Sequence, residues 1–294
     1  MGTSVEREAI ARSLLKGLAP EVVNGKAYCH AYMKWQGPHW TLVGLANAGH
    51  PAGDASLRPL IDSVETWLFS PRHLHPPATT RLPDQPDRVR RCASQEGNAI
   101  WYSVMLGLET DRTIELVERL IRCQWPDGGW NCDRRPAAAT SSFQETAIPA
   151  RGLWAYGTRH DHEPARQAAQ RAVELMLSRR LLWRRRDGAM IRPDWGGPFD
   201  LIHFPIQFYD VLFALQVVTE AGRIRDPRCA DALALLESKR LADGGFPLEY
   251  RNASTTDAVA THGTFADWGP GGRTRSNPFV TELAERVLTT ANAG

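Results

Sequence analysis

The sequence predicts an all-α fold, a single α/α toroid of about five to six helical hairpins that covers residues 1–294. Hydrophobic residues make up 43% of the chain and charged residues 23%, which is typical of a globular domain. Segments that are apolar on every side alternate with segments that carry one apolar stripe. Asp-Gly turns recur at Asp127, Asp187 and Asp243, at intervals of about 60 residues, and indicate an internal repeat.

The segments that are apolar on every side are predicted to be inner helices, buried on both faces. Several of them end in glycine, which tolerates the left-handed conformation at a helix C-terminus. In chain order they are Trp40–Gly49, Ile100–Leu108, Thr146–Gly157, Tyr209–Gly222 and Phe279–Leu288.

The segments with one apolar stripe are predicted to be outer helices, and Ser4–Leu18 is the first of them. In DRTIELVERLIRC, which is expected to start at Asp111, the stripe comprises Ile114, Val117 and Ile121, widened by Leu116 and Leu120. In DPRCADALALLESKR, expected to start at Asp226 with Pro227 in the first turn, it comprises Cys229, Leu233 and Leu236.

Helical hairpins of this kind form either an open solenoid or a closed toroid. A solenoid needs polar helices at its ends, whereas the last helix here is still apolar, so closure is favoured. Two long connections, residues 72–90 and 252–274, are possible lids over the mouth of the toroid.

Charge and composition exclude several classes of protein. The net charge of +2 without a dominant basic stripe argues against a nucleic-acid partner. No apolar run reaches the length of about 18 residues that a membrane span needs, and the charged N-terminus is unlike a secretory signal. Five cysteines without regular spacing suit a reducing compartment, so a cytoplasmic location is expected. No cofactor is expected.

The stretch CQWPDGGWNCD raises the question of a metal site. A tetrahedral zinc site would need Cys123 and Cys132 to converge with two further ligands, which the sequence does not offer nearby. The repeat instead explains Trp125, Asp127 and the glycines as a turn that holds an outer helix to its neighbour. No metal site is therefore predicted.

The same stretch resembles a known family. Gln124, Trp125, Asp127, Gly128, Gly129 and Trp130 resemble the QW repeat of squalene-hopene cyclases and related terpene cyclases. The segments SKRLADGGFPLEY, HFPIQFYDVLFAL and RCASQEGNAIWY look like bacterial prenyltransferase-like and squalene-cyclase-like proteins of this size. The resemblance runs from about Trp40 to Leu288 and implies the α/α-toroid fold.

The catalytic signatures of that superfamily are missing. The chain has neither the Asp-x-Asp-Asp motif that protonates an alkene nor the Asp-Asp-x-x-Asp motif that holds magnesium and a diphosphate. The Asp, Cys and His zinc ligands of protein prenyltransferase β-subunits cannot be matched residue by residue. The resemblance therefore leaves the function open between two main hypotheses, with a catalytically inactive lipid carrier as a third.

The first hypothesis is a small-molecule cyclase, lyase or transferase of bacterial secondary metabolism. It would displace or eliminate an anionic leaving group (diphosphate, phosphate or sulfate) from an anionic or isoprenoid-like substrate in the toroid cavity. The alternative is a non-catalytic partner subunit or ligand-binding protein of a heteromeric prenyltransferase-like complex.

The first hypothesis depends on the connections that precede the inner helices, which gather at one end of a toroid. Helix N-termini attract anions, and Arg91 and Arg273 would add full charges. The polar residues of these connections would otherwise serve as ordinary helix caps.

Glu145, His203 and Asp210 are the candidate catalytic residues. Glu145 follows Phe143 and is a candidate general base, or a capping-box glutamate three residues after Ser142. His203 is a candidate acid–base group, and Asp210 either contacts a ligand or favours the positive end of a helix. The candidate substrate-binding residues are Trp40, Arg91, Gln95, Trp101, Asp133, Phe143, Gln207, Tyr209, Trp268 and Arg273.

Overall fold

The structure, a computed structural model, describes residues 3–18, 34–74, 81–82, 85–133, 135, 138–191, 199–205, 209–251, 254–259 and 263–293. The chain divides into two units. The larger unit comprises Ser4–Arg171 and Ala253–Asp267, and the smaller unit comprises Ala172–Asn252 and Trp268–Gly294 together with the first three residues.

Helices make up most of the larger unit. They are α1 (Ser4–Lys16), α2 (Gly37–Asn47), α3 (Arg58–Leu68), the single turn α4 (Pro71–Leu74), α5 (Ala93–Leu106), α6 (Asp111–Cys123) and α7 (Phe143–Arg159). A 3₁₀ turn, Ala55–Leu57, precedes α3. Short strands pair as β1 (Arg81–Leu82) with β2 (Gln85–Val89), antiparallel, and β5 (Ser254–Thr255) with β6 (Gly263–Thr264), parallel.

Helix α8 (Glu163–Ser178) contains the division between the units. The smaller unit then has α9 (Val211–Glu220), the 3₁₀ turn Pro227–Cys229, α10 (Ala230–Glu237) and α11 (Pro278–Asn292). Its strands β3 (His203–Phe204) and β4 (Tyr250–Arg251) pair in parallel. No described helix is long and apolar enough to cross a membrane.

Helices α5 and α7 pack with their backbones in contact. A Cβ added to Gly97 of α5 would lie 2.6 Å from backbone atoms of Pro149 in α7, and one added to Gly152 of α7 would lie 2.4 Å from the carbonyl oxygen of Gly97. Glycine is required at both positions because any side chain would push the helices apart. The close approach brings the N-terminal turns of α5 and α7 side by side, which positions the candidate site described below.

The repeat predicted from the Asp-Gly turns is present twice, each time with a hydrogen bond from a serine hydroxyl to the aspartate. In the larger unit, the carboxylate of Asp127 accepts hydrogen bonds from the backbone N–H (2.9 Å) and hydroxyl (2.6 Å) of Ser141. In the smaller unit, the carboxylate of Asp243 accepts the hydroxyl of Ser276 at 2.7 and 2.8 Å. Each serine lies one residue before the N-cap of the next buried helix, so each turn fixes where that helix starts.

The residues that flank the two turns are also equivalent. The N–H of Trp130 donates to the hydroxyl of Thr146 at 3.3 Å, and the N–H of Phe246 donates to the hydroxyl of Thr281 at 2.8 Å. The side chain of Gln124 donates to the carbonyl of Gly128 at 2.7 Å. Arg240 makes the matching bond, at 2.9 Å, to the carbonyl of Gly244. The same glycine carbonyl is therefore bonded in both turns, by an amide in the larger unit and by a guanidinium in the smaller unit.

The third predicted copy, at Asp187, folds differently. Trp183 and Met190 form an antiparallel bridge, and the N–H of Arg184 donates to the carbonyl of Ala189 at 2.8 Å, which closes a hairpin. The carboxylate of Asp187 pairs with arginines of the hairpin itself and not with a serine before a helix. The equivalence of this copy with the other two is therefore wrong.

The predicted helices occur where expected, with two corrections in α6. Ile114 is 46% exposed and Ile121 is half-buried, so the buried face is formed by Thr113, Leu116, Val117, Arg119 and Leu120. The N-cap is Thr110 and not Asp111, because the Thr110 hydroxyl accepts the N–H of Thr113 at 3.3 Å. Helix α3 was not recognised from the sequence.

The two predicted lids contain ordered contacts. In residues 72–90, His73 reaches the interior of the larger unit, as described below. In residues 252–274, Phe265 packs so tightly against Gly17 that a Cβ there would lie 2.1 Å from the phenylalanine ring. Trp268 packs against Phe204 and Phe279 in the smaller unit. Residues 75–80, 83–84, 252–253 and 260–262 of these connections lie outside the described residues.

Candidate functional site

The most chemically promising group of side chains surrounds Glu145 at the start of α7. Its Oε1 accepts hydrogen bonds from the hydroxyl of Ser94 (3.1 Å) and the thiol of Cys132 (3.3 Å), and its Oε2 accepts the N–H of Ser94 at 2.8 Å. Cys92 completes the group through a hydrogen bond with Cys132. We call Glu145, Ser94, Cys92 and Cys132 the Glu145 cluster.

Backbone contacts explain why these residues meet. The N–H of Arg91 donates to the carbonyl of Asn131 at 2.8 Å, so Cys92 and Cys132 follow two chain segments that run side by side. The N–H of Glu145 donates to the hydroxyl of the N-cap, Ser142, at 3.2 Å. The expected capping-box position is therefore correct for the backbone of Glu145. Its carboxylate, however, caps the neighbouring helix α5 at Ser94.

Burial controls the protonation of this cluster. Burial raises the pKa of Glu145, which is 7% exposed, and the charge of Glu96 raises it further, against the hydrogen bonds from Ser94 and Cys132. The hydrogen bond with Cys92 and the negative charge of Glu145 raise the pKa of the Cys132 thiol. Cys132 is therefore a proton donor at neutral pH and not a thiolate nucleophile. Glu145 is the group in this cluster that is suited to proton transfer.

A second buried carboxylate, Glu96, lies two residues after Ser94. Its side chain is 0% exposed and accepts hydrogen bonds from Nε2 of His73 (3.0 Å), Nη1 of Arg119 (3.1 Å), and Nε (2.9 Å) and Nη2 (2.8 Å) of Arg91. Burial alone would raise the pKa of Glu96, but the hydrogen bond from His73 and the charge of Arg91 override it and lower the pKa to about 2. Glu96 is therefore an anion at neutral pH, and Arg91 and Arg119 are its counter-ions.

The smaller unit holds the predicted pair His203 and Asp210. Asp210 Oδ2 lies 3.1 Å from Nδ1 of His203 and accepts the N–H of His203 at 2.7 Å. Asp210 Oδ1 accepts the N–H of Phe213 at 2.8 Å, so the same carboxylate caps α9. Both side chains are almost completely buried, and the His203 ring lies 4.8 Å from that of Tyr250. An aspartate bonded to one ring nitrogen sets the orientation and tautomer of a histidine, as acid–base catalysis by the other nitrogen requires. The same bond also holds a histidine whose role is only structural.

The predicted aromatic residues are buried among other protein groups. Trp40 lies 5.0 Å from Trp35. The guanidinium of Arg151 lies 3.8 Å over the ring of Trp101, which places a cation on the face that was expected to contact a substrate. The hydroxyl of Tyr209 donates to the carbonyl of Leu181 at 2.7 Å.

The other predicted residues have separate environments. Gln95 is 8% exposed and accepts a hydrogen bond from the indole of Trp67 at 3.3 Å. Asp133 pairs with Arg135 at 2.6 Å, Phe143 is 7% exposed at the start of α7, and Arg273 is exposed. Gln207 lies outside the described residues. No described His, Cys, Asp and Glu residues form a group of three that could hold a metal ion.

The N-termini that were expected to bind an anion already carry protein acceptors. Glu145 accepts from the N-terminal turn of α5, while Ser142, Asp210 and Asn277 cap α7, α9 and α11. Among the described residues, the polar groups at the starts of α5, α7, α9 and α11 are thus explained as helix caps.

Sequence reasoning missed Glu96, Ser94, Cys92 and Arg119. Arg119 could have been found, because it stands between Leu116 and Leu120 on the buried face of α6, where a charge needs a buried partner. The thiols carried no such signal, since Cys92 and Cys132 are far apart in the sequence.

The sequence matches no protein-family model, and no curated protein matches it. The site therefore has to be interpreted from its own chemistry.

Proposed function

We propose that the chain is an α/α-toroid enzyme, a cyclase, lyase or transferase of bacterial secondary metabolism, in which Glu145 transfers a proton to or from a small molecule. The toroid is supported by the duplicated Asp-Gly turn and by the direct backbone packing of α5 and α7, whose N-terminal turns lie side by side. Inner helices of a toroid would run side by side in this way.

The observation that carries the proposal is the position of Glu145. A buried carboxylate with a raised pKa can donate a proton to a leaving oxygen and take a proton from carbon in an elimination. Ser94 and Cys132 hold both of its oxygens in place. This arrangement needs no Asp-rich motif and no metal. It replaces the earlier expectation that helix N-termini hold the leaving group, because those termini carry protein caps.

The test is turnover by the full chain. The protein would be incubated with isoprenoid diphosphates and with small phosphate and sulfate esters, and the products followed by mass spectrometry. Glu145→Gln keeps the shape of the side chain but cannot transfer the proton, so it should lower turnover at least a hundredfold, within the range expected for general acid–base catalysis. Glu118→Gln, on the exposed face of α6, is the control and should keep full activity.

The capping interactions favour one second candidate, a non-catalytic partner subunit or ligand-binding protein. In that case Glu145 and Asp210 stabilise helix starts and do nothing further. Glu145→Gln and His203→Gln would then be less stable but would retain ligand or partner binding in proportion to the folded fraction. Equal turnover by the wild-type protein and Glu145→Gln would reject the enzymatic proposal for this residue.

A further inference from the structure

The third Asp-Gly segment, which departs from the repeat, forms an arginine-rich pocket of about 250 Å³ in the smaller unit. It is lined mainly by Arg179, Arg180, Trp183, Arg184 and Arg185. We propose that this pocket is a binding site for the phosphate group of a multiply charged anion, such as a diphosphate. The proposal does not rest on the function proposed for Glu145.

Charge is the first argument. Arg179, Arg180, Arg184, Arg185 and Arg186 lie within eight positions of the chain. Among the described residues, Asp187 and Asp231 are the carboxylates paired with them, so five positive charges are matched there by two negative charges, an excess of three. An excess of this size on one small surface attracts a polyanion far more than a single carboxylate.

Unused donors are the second argument. Arg180 pairs with Asp231, and Arg184 pairs with Asp187 at 3.0 Å. Within the described part of the chain, the guanidinium groups of Arg179 and Arg185 form no hydrogen bond or ion pair. A guanidinium presents a planar fork of donors that matches two phosphate oxygens at once. Arg179 and Arg185 thus each supply a donor fork on this pocket that no described carboxylate occupies.

The pocket is held by an ordered backbone, which lowers the entropic cost of binding. Arg180 and Leu181 both adopt the left-handed conformation, with φ of 46° and 65°. Leu181 is fully buried, and its carbonyl accepts the hydroxyl of Tyr209 at 2.7 Å. On the other side, the hairpin from Trp183 to Met190 is closed by backbone hydrogen bonds. The arginines therefore project from two fixed turns.

The C-terminus of α8 would repel an anion if its carbonyls were free. They are not free. The carbonyl of Met176 accepts the N–H groups of Arg179 (3.1 Å) and Leu181 (3.0 Å), and that of Leu177 accepts the N–H of Arg180 at 2.8 Å. The opposing helix dipole is thus partly neutralised by the turn that carries the arginines.

Trp183 adds an apolar wall and is itself fixed. Its indole N–H donates to Oδ2 of Asp231 at 2.9 Å, so its orientation does not depend on a ligand. Gly188 also lines the pocket. A Cβ added there would meet no atom within 4 Å, so the pocket is open to solvent at this residue. The pocket therefore fits a charged head with an organic substituent against the indole.

The experiment is calorimetric titration of the full chain with inorganic pyrophosphate. The Arg179→Gln, Arg185→Gln double variant should bind at least tenfold more weakly than the wild-type protein, and affinity should fall as salt rises because these charges are exposed. Arg225→Gln, also exposed and in the smaller unit but outside the pocket, is the matched control and should change affinity less than twofold. Pyrophosphate binding is measured without turnover, so failure here is separable from failure of the enzymatic proposal.

A second arm separates the two sources of a phosphate group. Sedimentation with phosphatidylcholine vesicles, with and without phosphatidylserine, tests a lipid headgroup, whereas pyrophosphate tests a free anion. Binding of either probe that is lost in the double variant supports the site and identifies its source. An Arg179→Lys, Arg185→Lys variant keeps the charge and should retain part of the binding, which guards against a folding defect. The proposal is overturned if neither probe binds, or if the control loses as much affinity as the double variant.

Discussion

Replacing Glu96 with glutamine should destabilise this protein more than any exposed charge substitution. Glutamine keeps the shape of the side chain but leaves the buried guanidinium groups of Arg91 and Arg119 without a negative partner. The folded-state pKa of about 2, against an ordinary 4.5, corresponds to about 3 kcal/mol of stability at neutral pH. Breaking a buried ion pair on one side costs about 3–5 kcal/mol in other proteins, which agrees.

The assay is urea unfolding at pH 7, followed by tryptophan fluorescence and circular dichroism. Glu96→Gln should lower the free energy of unfolding by about 3 kcal/mol. Glu118→Gln removes an exposed pair with Arg122, at 3.7 Å, and should cost less than about 0.5 kcal/mol. A loss below about 1 kcal/mol for Glu96→Gln would show that Glu96 does not hold its two arginines as described.

The pH dependence provides a second check on the same variant. Because folding depresses the pKa of Glu96, its contribution is present above the ordinary value of 4.5 and is lost as pH falls towards about 2. The stability gap between the wild-type protein and Glu96→Gln should therefore narrow on acidification below pH 4.5. A gap that stayed constant over that range would contradict the assigned pKa.

Further predictions concern the turn, the helix contact and Glu145. Asp127→Asn weakens the two hydrogen bonds to Ser141 and should lower the free energy of unfolding by about 1–2 kcal/mol. Asp243→Asn, in the exposed copy of the turn, should lower it by less, and urea unfolding of both variants measures the difference. Gly97→Ala should lower the free energy of unfolding by about 2 kcal/mol or more, because the added Cβ meets the backbone of α7. Asn98→Ala, the control, should be nearly neutral. Equal losses of stability in thermal melts of the two variants would contradict the helix contact. Since folding raises the pKa of Glu145, its carboxyl stabilises the fold while protonated, and this contribution is lost as pH rises through the folded-state value. Glu145→Gln should therefore gain stability relative to the wild-type protein as pH rises, and a relative loss in a pH series of urea titrations would reverse the sign of that shift.

The helical elements could be predicted because their signals are local. Apolar residues on all sides of Ile100–Leu108 and Tyr209–Gly222 require burial wherever those helices pack. The Asp-Gly turns at Asp127 and Asp243 were recognisable for the same reason, since a glycine after the aspartate permits the positive φ that both turns adopt.

Other features depended on partners distant in the sequence. The third turn, at Asp187, carries the same local signal as the other two, but its carboxylate pairs with arginines of its own hairpin. The buried face of α6 includes Arg119, whose guanidinium donates to Glu96, whereas Ile114 is exposed. The position of Arg119 within its helix predicts that it needs a buried partner, but not that the partner is Glu96.

The sequence by itself determined the mostly helical character of the chain, the order of buried and amphipathic helices, and the turn that ends the α6 and α10 segments. Only the tertiary structure decided which residue the carboxylate of Glu145 bonds. Its position three residues after Ser142 predicted a cap within its own helix, and its backbone follows that prediction. Its carboxylate instead bonds Ser94, 51 residues earlier in the chain, because the glycine contact between α5 and α7 brings the two helix starts together. Spacing along one helix specifies a capping position, but packing between helices selects the partner.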